Sequence, residues 1–254
     1  ELGGFHPAPT VRAFLFGLAI VGAAFLLSWA AEALQVDVSA GLALGLLAPI
    51  AVLPEYIVDG TFAWRAAEEH SFEGAEGTFI HPFDDDHFIA GHGTMGLEIL
   101  EDAADTTSVI ASIGGGGLIT GVGSALKALR PEIKIWGVEP ETAAPMALSL
   151  AAGSPQKFKD WKSSFVDGAG GQSVFPRMWE RMKPIVDDSL VVSLEETRKA
   201  MRLMAEMARI IAEGAGALPL AAVLSGRVGG NGPIVCIVSG GNLDLKNFCE
   251  LIDM

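Results

Sequence analysis

The first lysine of this 254-residue chain is Lys127, so the leading half carries no side-chain primary amine. Cysteine is scarce throughout. Cys236 and Cys249 are the only two, too few for a disulfide framework, and both read as buried reduced thiols. Basic side chains number 17 against 31 acidic ones, for a net charge of -14. Nothing in that balance would neutralise a phosphate backbone, which argues against nucleic-acid binding. The chain starts at Glu1 rather than at methionine, as a fragment or a processed chain would.

What the chain has in plenty is apolar residues, 50% of the total, and 31 glycines. Two uncharged runs stand near the beginning, Ala13–Ala31 and Val38–Pro54, each about as long as a hydrocarbon core is thick. They predict a transmembrane helical hairpin over residues 1–67, with spans at 13–36 and 38–58; a buried hairpin of a soluble protein is the alternative. Pro49 and Pro54 interrupt the second span, and Glu55 and Asp59 follow at i, i+4. Such carboxylates line an ion path or mark the aqueous end of the span. The segment LAPIAVLPEYIVDGTFAWRA resembles the first-repeat Pro-Glu segment of bacterial sodium/calcium antiporters of the cation–calcium exchanger superfamily. That resemblance implies an ion-ligand role for Glu55. Two spans make no transport path by themselves, so this region reads as an antiporter fragment. It would place the chain at a membrane and leave the remainder cytoplasmic.

A polar junction at 68–77 leads into residues 78–254, where strand and helix patterns alternate. Thr78–Ile80 reads as a short strand. The Asp84–Asp86 run reads as a loop whose Asp86 caps a helix over Phe88–Asp102, rather than as a metal site. His81, His87 and His92 read as loop or helix-face residues. Further strands are expected at Val109–Ile113, Ile133–Val138, Ser189–Val192 and Pro233–Val238. Helices are expected at Thr142–Ala152 and Pro176–Val186, with a polar loop at 157–172. After residue 193 come two more, separated at Gly214–Gly216, with Glu195 and Glu196 in the first turn of the earlier one. The fold class is therefore α/β, a parallel sheet with helices on both faces.

The organising stretch is SVIASIGGGGLITGVGSALKALR, residues 108–130. A β-branched run gives way to Gly114, Gly115, Gly116 and Gly117. Leu118, Ile119, Val122, Ala125, Leu126 and Leu129 then recur at helical spacing. A strand, a glycine turn and a helix N-terminus together make an anion cradle. A second turn, Ser239-Gly240-Gly241-Asn242, follows the final strand. In parallel sheets ligands collect at the carboxyl ends of strands, where both turns fall.

HPFDDDHFIAGHGTMGLEIL, GGGGLITG, GVEPE, VDG, EGAGA and VSGGN, in this order, resemble the C-terminal part of fold type II pyridoxal-phosphate enzymes, nearest threonine/serine dehydratases and serine racemase. The resemblance runs from about Thr78 to Asp244. It implies that Gly114, Gly115, Gly116, Gly117 and Leu118 bind the cofactor phosphate through backbone N–H groups. It further implies that Ser239 hydrogen-bonds the pyridine nitrogen, and that Glu213 stands beside the ring. The implied chemistry is ammonia-lyase action on a small hydroxy amino acid.

Two departures bear on this. The family holds its cofactor covalently through a lysine upstream of the glycine loop, and here no lysine precedes Lys127. An upstream serine loop for the substrate carboxylate is missing as well. Pyridoxal 5'-phosphate would be held non-covalently, and the chain is expected to be inactive alone. The family's divalent-cation ligands map to Glu139, the Ala143 carbonyl and an acidic group that is Pro145 here, so no metal site is expected. The alternative to a dehydratase-derived protein is an antiporter fragment, or a fusion product joined within 64–77 that has no native function. Missing partner elements predict exposed apolar edges and a tendency to self-association.

Overall fold

The computed structural model describes residues 81–230 and 232–253. The expected hairpin over 1–67, the junction and the Thr78–Ile80 strand lie outside the described residues. Among the described residues no helix is long and apolar enough to cross a membrane.

A four-stranded sheet of order β3-β2-β1-β4 carries the fold. It is built from β1 (Ser108–Ser112), β2 (Lys134–Pro140), β3 (Asp188–Val192) and β4 (Ile234–Cys236). Every pairing is parallel. Val109 lies opposite Ile135, Ile110 opposite Cys236, and Val138 opposite Leu190. Parallel neighbours need long crossovers, and here helices supply them. The helices are α1 (Asp86–Asp102), α2 (Gly117–Leu129), α3 (Pro145–Ala152), α4 (Pro176–Met182), α5 (Leu194–Leu203), α6 (Gly214–Leu224) and α7 (Leu245–Ile252); α2 to α6 lie between strands, whereas α1 precedes β1 and α7 follows β4.

Side-chain alternation along the strands divides the core in two. Val109, Ala111, Ile113 and Ile135 pack with Ile119, Val122, Met178 and Met182 on one face. Ile110 and Val138 pack with Met201, Leu218 and Phe248 on the other. All five β1 residues are buried, which is why that segment reads as a continuous apolar run. Each buried Ile or Val contributes about 1.5–3 kcal/mol from the area it removes from water.

The α1–α2 pair sets the position of the glycine loop. A Cβ on Gly121 would stand 2.2 Å from the Ile89 carbonyl oxygen, and one on Gly96 would stand 2.8 Å from that of Val122. The two helices cross at backbone contact because glycine lies on each side.

Several expectations change. Asp85, not Asp86, caps α1, its extended backbone letting the carboxylate accept the N–H groups of His87 and Phe88 at 2.9 and 3.0 Å. Asp86 instead pairs with Arg181, which holds its carboxyl below the usual range. The break after α5 is a π-helical turn, Met204–Ala208, closed by Arg209 at φ 61°; Gly214–Gly216 begin α6 rather than interrupt it. Cys249 is exposed, because Phe248 is the residue by which α7 packs inward. Cys236 is half-buried, and burial pushes its thiol up to about 11.

Candidate functional site

β1 ends at Ser112, and the chain passes through Ile113 into the four glycines before α2 begins at Gly117. Ile113 is tied on both sides: its N–H donates to the Val138 carbonyl at 3.0 Å, and its carbonyl accepts from Gly170 at 2.8 Å. Among the described residues, no acceptor engages the N–H groups of Gly114, Gly115, Gly116, Gly117 or Leu118. Gly116 has φ 94° and ψ -1°, a left-handed conformation for which glycine is suited, and it stands at the N-cap of α2 with no side-chain cap. These five N–H groups stand at a helix N-terminus, an arrangement able to hold an anion.

The neighbouring strand delivers the second loop alongside. Ile237 donates to the Ile110 carbonyl at 3.0 Å, so β4 runs parallel to β1 to its end and releases Ser239 at the same edge of the sheet. Ser239 is exposed. Glu213, the N-cap residue of α6, holds this second loop from two directions. Its N–H donates to the Gly240 carbonyl at 3.2 Å, and its carboxylate accepts the Asn242 N–H at 3.0 Å. A Cβ on Gly240 would come within 2.3 Å of Glu213 Oε1, so the carboxylate rests on the loop backbone.

The Asp167-Gly168 turn joins the two halves. A Cβ on Gly114 would lie 2.9 Å from the Gly168 carbonyl oxygen, and a Cβ on Gly168 would lie 3.3 Å from Glu213 Oε1. The glycine loop, the VDG turn, Glu213 and the SGGN loop thus form one contiguous backbone assembly, though they come from distant parts of the chain. Next to it opens a cleft of about 360 Å³, walled by Phe165, Asp167, Glu213, Asn242, Leu243 and Asn247 among others.

Lys127 is elsewhere. It lies near the C-terminal end of α2, some ten residues and about 15 Å of helix from Gly117. There its Nζ donates to the Ile133 carbonyl and to Asp187, both at 2.8 Å. Lys134 shares that Asp187. Lys183 lies over the Trp179 ring, Lys199 pairs with Glu195, and Lys246 with Glu250. Lys157, Lys159 and Lys162 are exposed in the loop after α3.

Glu139 and Ala143 do not come together as cation ligands. Glu139 is wholly buried. It accepts the Met146 and Ala147 N–H groups at 2.8 Å each and the Ser189 hydroxyl at 2.9 Å. Burial pushes its carboxyl up to about 7, against the pull of those three donors. The Ala143 carbonyl oxygen abuts Gly170, where a Cβ would come within 2.4 Å of it. Glu139 therefore caps α3, whose own N-cap residue Ala144 has no side chain able to do so. Among the described residues no cluster of three or more His, Cys, Asp or Glu side chains could hold a metal ion.

Residues 51–240 match the family described as pyridoxal-phosphate dependent enzyme. The chain belongs to that family. The match begins inside the stretch where the second membrane span is expected. L-threonine ammonia-lyase of Thermotoga maritima is 39% identical over 175 residues, which take in 69% of this chain and 43% of that one. Catabolic L-threonine dehydratase of Staphylococcus aureus is 41% identical over 182 residues, 69% of this chain and 52% of that one. Among solved structures, a T.th. threonine deaminase aligns with TM-score 0.63 and 37% identity over 71% of this chain and 66% of its own. Maize serine racemase aligns with TM-score 0.64 and 35% identity over 74% and 58%. The chain spans about half the length of the curated relatives it matches.

Pyridoxal phosphate is the cofactor of this family. The residues present fit its phosphate, because the unclaimed N–H groups of Gly114–Leu118 lie at a helix N-terminus and Gly116 has the backbone form the turn requires.

Proposed function

We propose that this chain is a non-covalent pyridoxal-phosphate-binding half-site of the threonine/serine ammonia-lyase type, inactive by itself. The observation that carries the reading is the row of unclaimed N–H groups from Gly114 to Leu118, at the same sheet edge as Ser239.

The N–H groups of Gly114, Gly115, Gly116, Gly117 and Leu118 would donate to the phosphate oxygens, helped by the partial positive charge at the start of α2. Ser239 would donate its hydroxyl proton to the pyridine nitrogen. A neutral partner there leaves that nitrogen unprotonated and moderates electron withdrawal by the ring. Glu213 would act on the same loop by holding Gly240 and Asn242 in place. The bound cofactor supplies an electron sink for an amino acid that has lost its α-proton. No lysine precedes the glycine loop in the sequence, and Lys127 beyond it is tied to Ile133 and Asp187. The substrate class, by likeness to the relatives, is a small hydroxy amino acid such as threonine or serine.

Equilibrium dialysis of the full chain tests the phosphate half of this reading. Pyridoxal phosphate should bind at one equivalent and about tenfold or more tighter than pyridoxal, the phosphate contacts being worth at least about 1.4 kcal/mol. Equal affinity for the two ligands would overturn it.

A further inference from the structure

The four glycines are buttressed by Phe83, a side chain outside the candidate site residues. The Phe83 ring lies against Gly115, where a Cβ would be 2.1 Å from ring atoms Cγ and Cδ1. The Phe83 carbonyl oxygen would be 2.9 Å from a Cβ on Gly117. One residue therefore brackets both sides of the turn. Gly115, unlike Gly116, has no positive φ. What excludes a side chain at 115 is the Phe83 ring and not the local backbone.

Phe83 is itself held firmly. The buried His81 accepts the Phe83 N–H at 3.2 Å and the Asp84 N–H at 2.8 Å through Nδ1. The His81 ring stands edge-on to Phe83 at 4.4 Å, and Phe175 lies 5.4 Å away on the same ring. Phe175 leads into α4, whose Arg177 and Arg181 reach buried Asp84 at 3.3 and 3.2 Å. Met182 of that helix closes on Gly116 from its own side. The segment His81–Asp84 and α4 thus form a clamp on the loop.

A tetraglycine turn has more conformational freedom to lose than any other four residues, and unused donors bind an anion well only when already aimed. The geometry points to Phe83 as a positioning residue that pre-organises the glycine cradle for the phosphate. This rests on the cradle being a phosphate site. Phe83 acts through the loop and not by touching the ligand, so its effect is confined to ligands that carry a phosphate.

The test uses the full chain and equilibrium dialysis with pyridoxal phosphate and with pyridoxal. Phe83→Ala should weaken pyridoxal phosphate about tenfold while pyridoxal changes by less than about twofold, since only the aimed N–H groups are lost. Gly115→Ala should weaken pyridoxal phosphate similarly, by driving a methyl into the ring. The double variant should bind about as Phe83→Ala alone does, and not about a hundredfold more weakly than the parent, because the methyl no longer meets the ring. Near-UV circular dichroism checks that each variant is folded. Should Phe83→Ala fail to fold, Phe83→Leu, alone and combined with Gly115→Ala, carries the same comparison. Equal weakening of both ligands, unchanged pyridoxal phosphate affinity, or single-variant losses that multiply in the double variant would each overturn the proposal. If the parent chain itself shows no preference for pyridoxal phosphate, the phosphate-site reading fails and the role of Phe83 falls with it.

Discussion

Glu139→Ala should lower the stability of the chain by about 3–5 kcal/mol in urea unfolding. The side chain is wholly buried and satisfies the N–H groups of Met146 and Ala147 together with the Ser189 hydroxyl. Alanine leaves two backbone donors and one hydroxyl without their partner in the core, at about 1–3 kcal/mol for each group left unsatisfied. Rotation of the Ser189 hydroxyl and entry of water into the vacated space keep the total below the simple sum. Glutamine retains one carbonyl acceptor, so Glu139→Gln should cost about half as much. A loss of under about 1 kcal/mol for the alanine variant would show that α3 is not held through this carboxylate.

The second large effect is on binding. Gly116→Ala should weaken pyridoxal phosphate by about 100-fold, from left-handed strain together with misdirection of the neighbouring N–H groups. Gly116 has φ 94°, and a Cβ there would meet the Met182 sulfur at 2.4 Å. Met182 can swing aside, but the backbone strain cannot be relieved without turning the loop. The consequence is lost aim of donors at the mouth of α2, with little change in the sheet itself. Dialysis reads it directly, and parent-like affinity in the alanine variant would remove Gly116 from the cradle.

How legible these features are in the sequence follows from the range of the interactions that make them. The β1–glycine–α2 unit is local: β-branching marks the strand, four consecutive glycines mark the turn, and the spacing of Ile119, Val122 and Leu126 marks the buried helix face. The alternation of strands and helices likewise announces the parallel sheet. Within a run of three aspartates, only the backbone form at Asp85 distinguishes the cap from its neighbours, and composition does not carry it. The break at Arg209 is hidden for a related reason. A non-glycine residue with φ 61° has no propensity signal, whereas the glycines nearby, which do have one, sit inside α6. Glu139 as a cap for α3, Phe83 as a backing for Gly115, and the hold of Glu213 on Gly240 and Asn242 all depend on which elements meet in space. The clues are present as HPF, GVEP and EGAGA, but their roles come from contacts across the sheet edge.

A phosphate cradle without its covalent anchor is tested most directly by borohydride reduction of the full chain with pyridoxal phosphate. Mass spectrometry after digestion should find no stoichiometric pyridoxyl adduct on any one lysine, and incubation with threonine or serine should release no keto acid. A single lysine modified at one equivalent, with keto acid formed, would contradict the account.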